Sequence, residues 1–163
     1  MEIPILIALI LLNGIFAMSE IALVTARKAR LQKLIDEGDT AAAAALKLGE
    51  DPTRFLSTVQ IGITSIGVLN GIFGEAALAG PFADWMESLF GWSSKVADPM
   101  ATAIVVVVIT YFSIVVGELV PKRIGLTLAD RAAKLLAPPM HLLSVIAKPF
   151  VWLLSQSTII LVK

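Results

Sequence analysis

The stretch MATAIVVVVITYFSIVVGELVPK, Met100–Lys122, decides the fold. From Met100 to Val116 it is uncharged and mostly apolar. With the residues up to Val120 it is long enough to cross a hydrocarbon core of about 30 Å as a helix. It closes on Gly117-Glu118-Leu119-Val120-Pro121-Lys122. Proline has no backbone N–H, and its ring crowds the carbonyl four residues back, here that of Gly117. The expectation is a helix kinked or ended at Pro121, a bare Gly117 carbonyl, and the Glu118 carboxylate beside it. Unpaired backbone at membrane depth is tolerated only where protein or a water-filled cavity surrounds it. An acid at that depth marks function by default. The corner therefore reads as a place for a cation.

The whole composition agrees with a membrane setting. Of 163 residues 57% are hydrophobic, and the mean hydropathy is +0.86, beyond the range of an ordinary soluble domain. Lys+Arg and Asp+Glu are 13 each, so net charge points to no nucleic-acid partner. There is no cysteine and a single histidine, His141, which excludes disulfides, thiol chemistry and a Cys/His metal cluster. The fold class expected is an all-α membrane protein with three transmembrane helices plus short juxtamembrane or re-entrant helices. The apolar start without a preceding basic residue is expected to be a retained span. The apolar end suggests a piece of a longer protein.

Spans are expected at about 3–26, 55–74 and 100–120, with juxtamembrane helices at about 28–50 and 135–162. The basic cluster Arg27, Lys28, Arg30 and Lys33 follows the first span. Segments 27–54 and 122–134 carry ten Lys/Arg, six plus four, whereas 75–99 carries only Lys95. The positive-inside rule then puts the N-terminus outside and these segments in the cytoplasm. Gly38-Asp39 should break the first juxtamembrane helix from a second, and Asp51-Pro52 should cap the next span. Span two is rich in small and polar residues and should be buried against other helices, with Gly67-x-x-x-Gly71 as a packing pattern. In 75–99, Phe82, Trp85, Met86, Leu89 and Phe90 define one helix face at the outer interface. Pro138-Pro139, Lys148 and Pro149 should interrupt the final apolar stretch into short helices in the inner leaflet, leaving the C-terminus cytoplasmic.

Three clusters offer oxygen ligands: Ser19 with Glu20, Thr64 and Ser65 with Asn70, and the Gly117 carbonyl with Glu118. Ser19 lies ~12 Å and Ser65 ~16 Å along their helices from the basic flanks. Hydroxyl, amide, carbonyl and carboxylate oxygens are hard ligands suited to Mg²⁺, Na⁺ or Ca²⁺. Each residue has a plainer use. A serine can bond its own helix, Asn70 can join helices, Glu118 can pair with Lys122, and Glu20 with Arg27 or Lys28. Thr64 is more often packing, and His141 and Lys148 snorkel or cap. No enzyme constellation is visible, since no base accompanies the serines and no phosphate loop or metalloprotease motif occurs.

Three motifs carry a family resemblance. Asn13-Gly14-Ile15-Phe16-Ala17-Met18-Ser19-Glu20-Ile21-Ala22, with Arg27-Lys28-Ala29-Arg30-Leu31, resembles the opening of the CorC/CNNM (cyclin M) magnesium transporter family. Asp51-Pro52-Thr53-Arg54-Phe55-Leu56-Ser57-Thr58-Val59-Gln60-Ile61-Gly62 is similar to its second-helix entry, and Gly117–Lys122 to its third-helix end. The resemblance covers essentially the whole chain. It implies a multi-pass domain of the plasma or inner membrane, a homodimer in the lipid bilayer, and Mg²⁺ export coupled to Na⁺ entry. It implies Mg²⁺ ligands Ser19, Ser65, Asn70, Gly117 through its carbonyl, and Glu118, with Glu20 as a further candidate and Pro121 as the structural kink. Paired CBS domains, usual in the family, are absent from this sequence. The rival expectations are a non-transporting Mg²⁺ sensor or scaffold, and a membrane hydrolase using Ser19 or Ser65.

Overall fold

The computed structural model describes residues 2–162, and among these it contains helices and no strand. In chain order they are α1 (Glu2–Thr25), α2 (Lys28–Asp36), α3 (Thr40–Glu50), α4 (Pro52–Phe90), α5 (Ser94–Ile114), a π-helical segment (Val115–Leu119), α6 (Val120–Thr127), α7 (Ala129–Ile146) and α8 (Lys148–Val162). Three helical stretches are long and apolar enough to cross a membrane: α1, α4, and the run Ser94–Thr127 made by α5, the π segment and α6. The chain is an all-α, multi-pass membrane protein.

Short polar signals set the turns on the basic side. Gly38 takes φ 93° after α2, a conformation open to glycine at no steric cost. Asp39 then caps α3, its Oδ1 accepting from the Ala41 and Ala42 N–H groups at 3.0 Å. Asp51 caps α4 through the Arg54 N–H at 3.1 Å, with Pro52 in the first turn. These caps satisfy amides that have no partner inside a helix.

The helices α2, α3 and α7 form a collar around the end of α1 and the start of α4. Leu31, Ala42, Leu48, Phe55, Ala133 and Leu136 belong to one buried core there. Asp130 at the start of α7 accepts from the Arg27 N–H at 3.0 Å and pairs with Arg30 at 3.3 Å. Lys134 pairs with Asp39 and so ties α7 to α3.

Prolines do less breaking than the sequence suggests. α4 does not stop near residue 74; it runs through Pro81 to Phe90, about 58 Å at 1.5 Å per residue, so part of it must extend beyond the hydrocarbon. The outer helix expected in 75–99 is the continuation of α4 and the first turn of α5, joined over Gly91–Ser93. Gly91, at φ 66°, closes α4 by donating its N–H to the Glu87 carbonyl. Of the expected outer face, Met86 is buried, Phe82 is half-buried against the same cluster, and Trp85, Leu89 and Phe90 are exposed.

α7 likewise passes through Pro138 and Pro139 without interruption, and the break comes at Ala147, where α7 and α8 meet at 64°. Both prolines lie on the exposed side of α7. In an apolar medium a helix loses less by giving up one bond at a proline than by exposing several backbone groups at a break.

The run Ser94–Thr127 is not ended by Pro121 either. Pro121 sits in the first turn of α6, immediately after the π-helical segment. Val120 N–H donates to the Val115 carbonyl, five residues back. The wider turn makes room for a proline, and such single-turn bulges are frequent at functional sites.

Three glycines let this run lie against α1. A Cβ on Gly14 would stand 2.9 Å from Pro121 Cγ. One on Gly117 would stand 3.2 Å from the Ile10 carbonyl oxygen, and one on Gly125 2.9 Å from that of Met18. By contrast, Gly67 and Gly71 have open space around them, so the expected small-residue pattern does not pack inside this chain.

Candidate cation site

The close approach of α1 to the π segment places Asn13 beside Gly117. Asn13 is 6% exposed, and its Nδ2 donates to the Gly117 carbonyl at 2.9 Å. The expectation of a bare Gly117 carbonyl is thereby corrected: Pro121 has no N–H to give it, and the Asn13 amide supplies one from the neighbouring helix. Asn13 Oδ1 is buried and has no partner.

Two turns further along α1, Glu20 approaches α6. Lys122 Nζ stands 3.2 Å from Glu20 Oε2 and 2.9 Å from Glu118 Oε1. The i, i+4 pair of Glu118 with Lys122 that the sequence spacing allows is formed. Glu20 pairs with the same lysine rather than with Arg27 or Lys28. Two acids from different helices thus share one ammonium group. The three side chains are 25%, 31% and 36% exposed for Glu20, Lys122 and Glu118, so they are reachable from a cavity without being fully solvated.

Each acid lines a different cavity. Glu20 lies in the wall of one of about 660 Å³ between α1, α4 and α8, with Ser57, Gln60, Thr64, Ser65 and Ser155 supplying oxygens. Glu118 lies in the wall of a smaller one, about 230 Å³, with Asn13, Asn70, Thr110 and Ser113. Lys122 bridges the two walls. Asn70 is 2% exposed, yet neither its Oδ1 nor its Nδ2 has a partner, and Ser113 Oγ is buried and unpaired as well. An unsatisfied buried polar group costs about 1–3 kcal/mol. Four such atoms around one small cavity are therefore a costly arrangement, and a hydrated or bound ligand would relieve it.

The residues singled out in the sequence are thus divided. Asn70 and Glu118 line the smaller cavity, while Ser65 and Glu20 line the larger. Ser19 is fully buried and donates its hydroxyl to the Phe16 carbonyl at 2.7 Å, its own helix. Gly117 is buried with its carbonyl engaged by Asn13. Asn13, Ser113 and Lys122 join the site only through the packing of the helices. Asn13 falls where an i, i+4 reading of α1 meets Gly117 only once the pairing of helices is known. Among the described residues no three His, Cys, Asp or Glu side chains gather into a metal-binding group. A cation here would be held by two acids at most, with neutral amide, hydroxyl and carbonyl oxygens completing the shell, the donor set that suits hard ions.

The fold and site define a polytopic helical membrane domain with acids and unpaired amides at its helix interface. The chain belongs to the cyclin M family: it matches the CNNM, or cyclin M transmembrane N-terminal, domain over residues 4–163. It is 46% identical over 158 residues to a UPF0053 protein of Synechocystis sp., covering 97% of this chain and 35% of that one. It is 35% identical over 147 residues to the polyamine export protein of Haemophilus influenzae, covering 90% and 34%, and 36% identical over 158 residues to the UPF0053 protein YhdP of Bacillus subtilis, covering 95% and 35%. The chain spans about a third of the length of these curated relatives.

Proposed function

We propose that this chain is a cation-export domain of the plasma or inner membrane, carrying Mg²⁺ outward against Na⁺ entry. The observation that supports this most is the pair of acids, Glu20 and Glu118, set between two cavities whose oxygens are partly unpaired. In this reading Mg²⁺ enters from the cytoplasm by the larger cavity and exchanges water for Ser65 and Glu20. Mg²⁺ gives up water reluctantly and needs several oxygens close together. Completing the shell with Ser19, Asn70, the Gly117 carbonyl and Glu118 therefore requires three releases, the first being that of Glu20 and Glu118 from the Lys122 ammonium. The Ser19 hydroxyl must leave the Phe16 carbonyl, and Asn13 must turn from Gly117. The π segment, with a weaker local bonding pattern than an α-helix, is the element suited to that adjustment.

The topology proposed has the N-terminus outside and the collar of α2, α3 and α7 in the cytoplasm. α7 and α8 form a bent re-entrant pair that returns the C-terminus to the cytoplasmic side. The open face of α4 at Gly67 and Gly71 is the surface proposed for a second copy in a homodimer. The rest of the full-length protein, including any CBS domains, would regulate this unit.

One observation favours a second substrate class. The group already seated between Glu20 and Glu118 is a primary ammonium, that of Lys122, and relatives of this chain are named polyamine export proteins. An organic polycation would meet the same acids. Proteoliposomes loaded with Mg²⁺ or with spermidine, with and without an opposing Na⁺ gradient, separate the readings. Mg²⁺ efflux dependent on Na⁺ is expected. Spermidine efflux without Mg²⁺ efflux would move the assignment to polyamines, and Mg²⁺ binding without any flux would make the domain a sensor.

A further inference from the structure

Lys122 is a cation held in place by covalent attachment, and this has a consequence for selectivity. Its Nζ contacts Glu118 on its own helical run, four residues back, and Glu20 on α1. Without it the two acids carry a charge of −2 at a site between membrane helices, and with it −1. A free monovalent ion that displaced the ammonium would exchange one positive charge for another and gain no net neutralisation. It would also compete with a tethered group whose effective concentration is on the order of millimolar or higher. A divalent ion neutralises both acids, and in a site of reduced dielectric that difference is amplified. We propose that Lys122 is the specificity-determining residue of this site, a built-in competitor that excludes monovalent ions and yields to divalent ones. Discrimination by a competing or repulsive element, rather than by added attraction to the preferred ligand, is a general route to specificity.

The position of Lys122 suits the task. Its neighbour Pro121 packs on Gly14 of α1, so the lysine's backbone is anchored while its long side chain remains free to swing. When displaced, the ammonium can move toward the basic flank, as lysine side chains near helix ends do. The inference rests on the reading of the acids as a divalent-cation site, and the test keeps the two apart.

The test measures the unfolding midpoint of the full chain in nanodiscs against Mg²⁺, with and without Na⁺, choline chloride holding ionic strength constant; a ligand that binds the folded state raises the midpoint. In the wild type the apparent Mg²⁺ affinity is expected to be unchanged by Na⁺, since a coupling Na⁺ would bind away from these two acids. In Lys122→Met, Na⁺ should weaken the Mg²⁺ response competitively, and in choline alone the apparent Mg²⁺ affinity should be about 10-fold tighter or more, a change of about 1.4 kcal/mol. Lys122→Arg should keep the discrimination. If Na⁺ leaves the Mg²⁺ response of Lys122→Met unchanged, or that variant binds Mg²⁺ no tighter, the lysine has no such role. If neither wild type nor Lys122→Met responds to Mg²⁺, the divalent-site reading falls with it. A second measurement avoids dependence on the variant's folding. The rate of acetylation of Lys122 in the wild type, read by mass spectrometry, should rise with Mg²⁺ and stay constant with Na⁺. A rate unmoved by saturating Mg²⁺ overturns the proposal.

Discussion

The carboxamide nitrogen of Asn13 lies 2.9 Å from the carbonyl oxygen of Gly117, joining α1 to the π-helical segment across 104 residues of sequence. It supplies the donor that Pro121 lacks, so the π segment and the first helix form one unit. Replacing Asn13 by Leu leaves a buried carbonyl without that partner. The expected loss is about 1–3 kcal/mol, read as a lowered unfolding midpoint in detergent. Unchanged stability would mean that the Gly117 carbonyl finds another donor.

The glycines divide into two classes with opposite expectations. Gly125→Ala sets a methyl 2.6 Å from Ile21 Cγ2 and 2.9 Å from the Met18 carbonyl oxygen. Backbone must move, and overpacking of this kind costs about 1–3 kcal/mol. Gly67→Leu and Gly71→Leu meet open space within the chain, at the rim of the cavity that holds Asn70 and Glu118, so the fold should be unaffected although that cavity narrows. If a second copy packs on that face, these variants should shift the mass measured by light scattering from dimer toward monomer.

Asn70 should show stability and binding moving apart. Both of its polar atoms are buried without partners. Asn70→Leu removes two unsatisfied groups, which is neutral or stabilising for the fold. It also removes an oxygen from the cavity that contains Glu118. The unfolding midpoint should hold or rise while Mg²⁺ affinity falls at least about 10-fold. A variant that binds Mg²⁺ normally would take Asn70 out of the site.

The collar has a defined acid limit. The Lys134 ammonium, the Ala42 and Ala41 N–H groups and the local field hold the Asp39 carboxyl below its ordinary value of 3.8, against a smaller opposing effect of burial. A depressed folded-state value means that this contribution is fully present above the ordinary value and is lost as pH falls through the lowered one. Docking of α3 on α7 should therefore weaken only below about pH 4. Asp39→Asn keeps a capping side chain and should flatten that part of the pH profile of helicity. An unaltered acid transition would assign it to other carboxylates.

Much of this architecture is legible in the sequence because membrane spans depend on length and apolarity alone, and because Asp39 and Asp51 cap helices by local geometry. The three spans, the two juxtamembrane helices and the turn at Gly38-Asp39 all follow from such signals. Pro121 and Pro138-Pro139 mislead because a proline's effect depends on the medium. In water the freed backbone finds new partners and the helix ends there. In lipid the helix continues, or widens into a π turn as it does before Pro121. The acids Glu20 and Glu118 stand out in the sequence for their cost at membrane depth. Their meeting through Lys122, and the role of Asn13, depend on which helix faces which. That pairing is set by the contacts at Gly14, Gly117 and Gly125, and no single motif encodes it.

The central claim is that Glu118, with Glu20 and the unpaired amides, holds a divalent cation inside the membrane. The most direct measurement is calorimetric titration of Mg²⁺ into the full chain and into Glu118→Gln, both checked for folding by circular dichroism. The account predicts saturable binding by the wild type, weakened about 100-fold or more in the variant, since a carboxylate contact in such a site is worth several kcal/mol. Folded Glu118→Gln binding Mg²⁺ as the wild type does would contradict it.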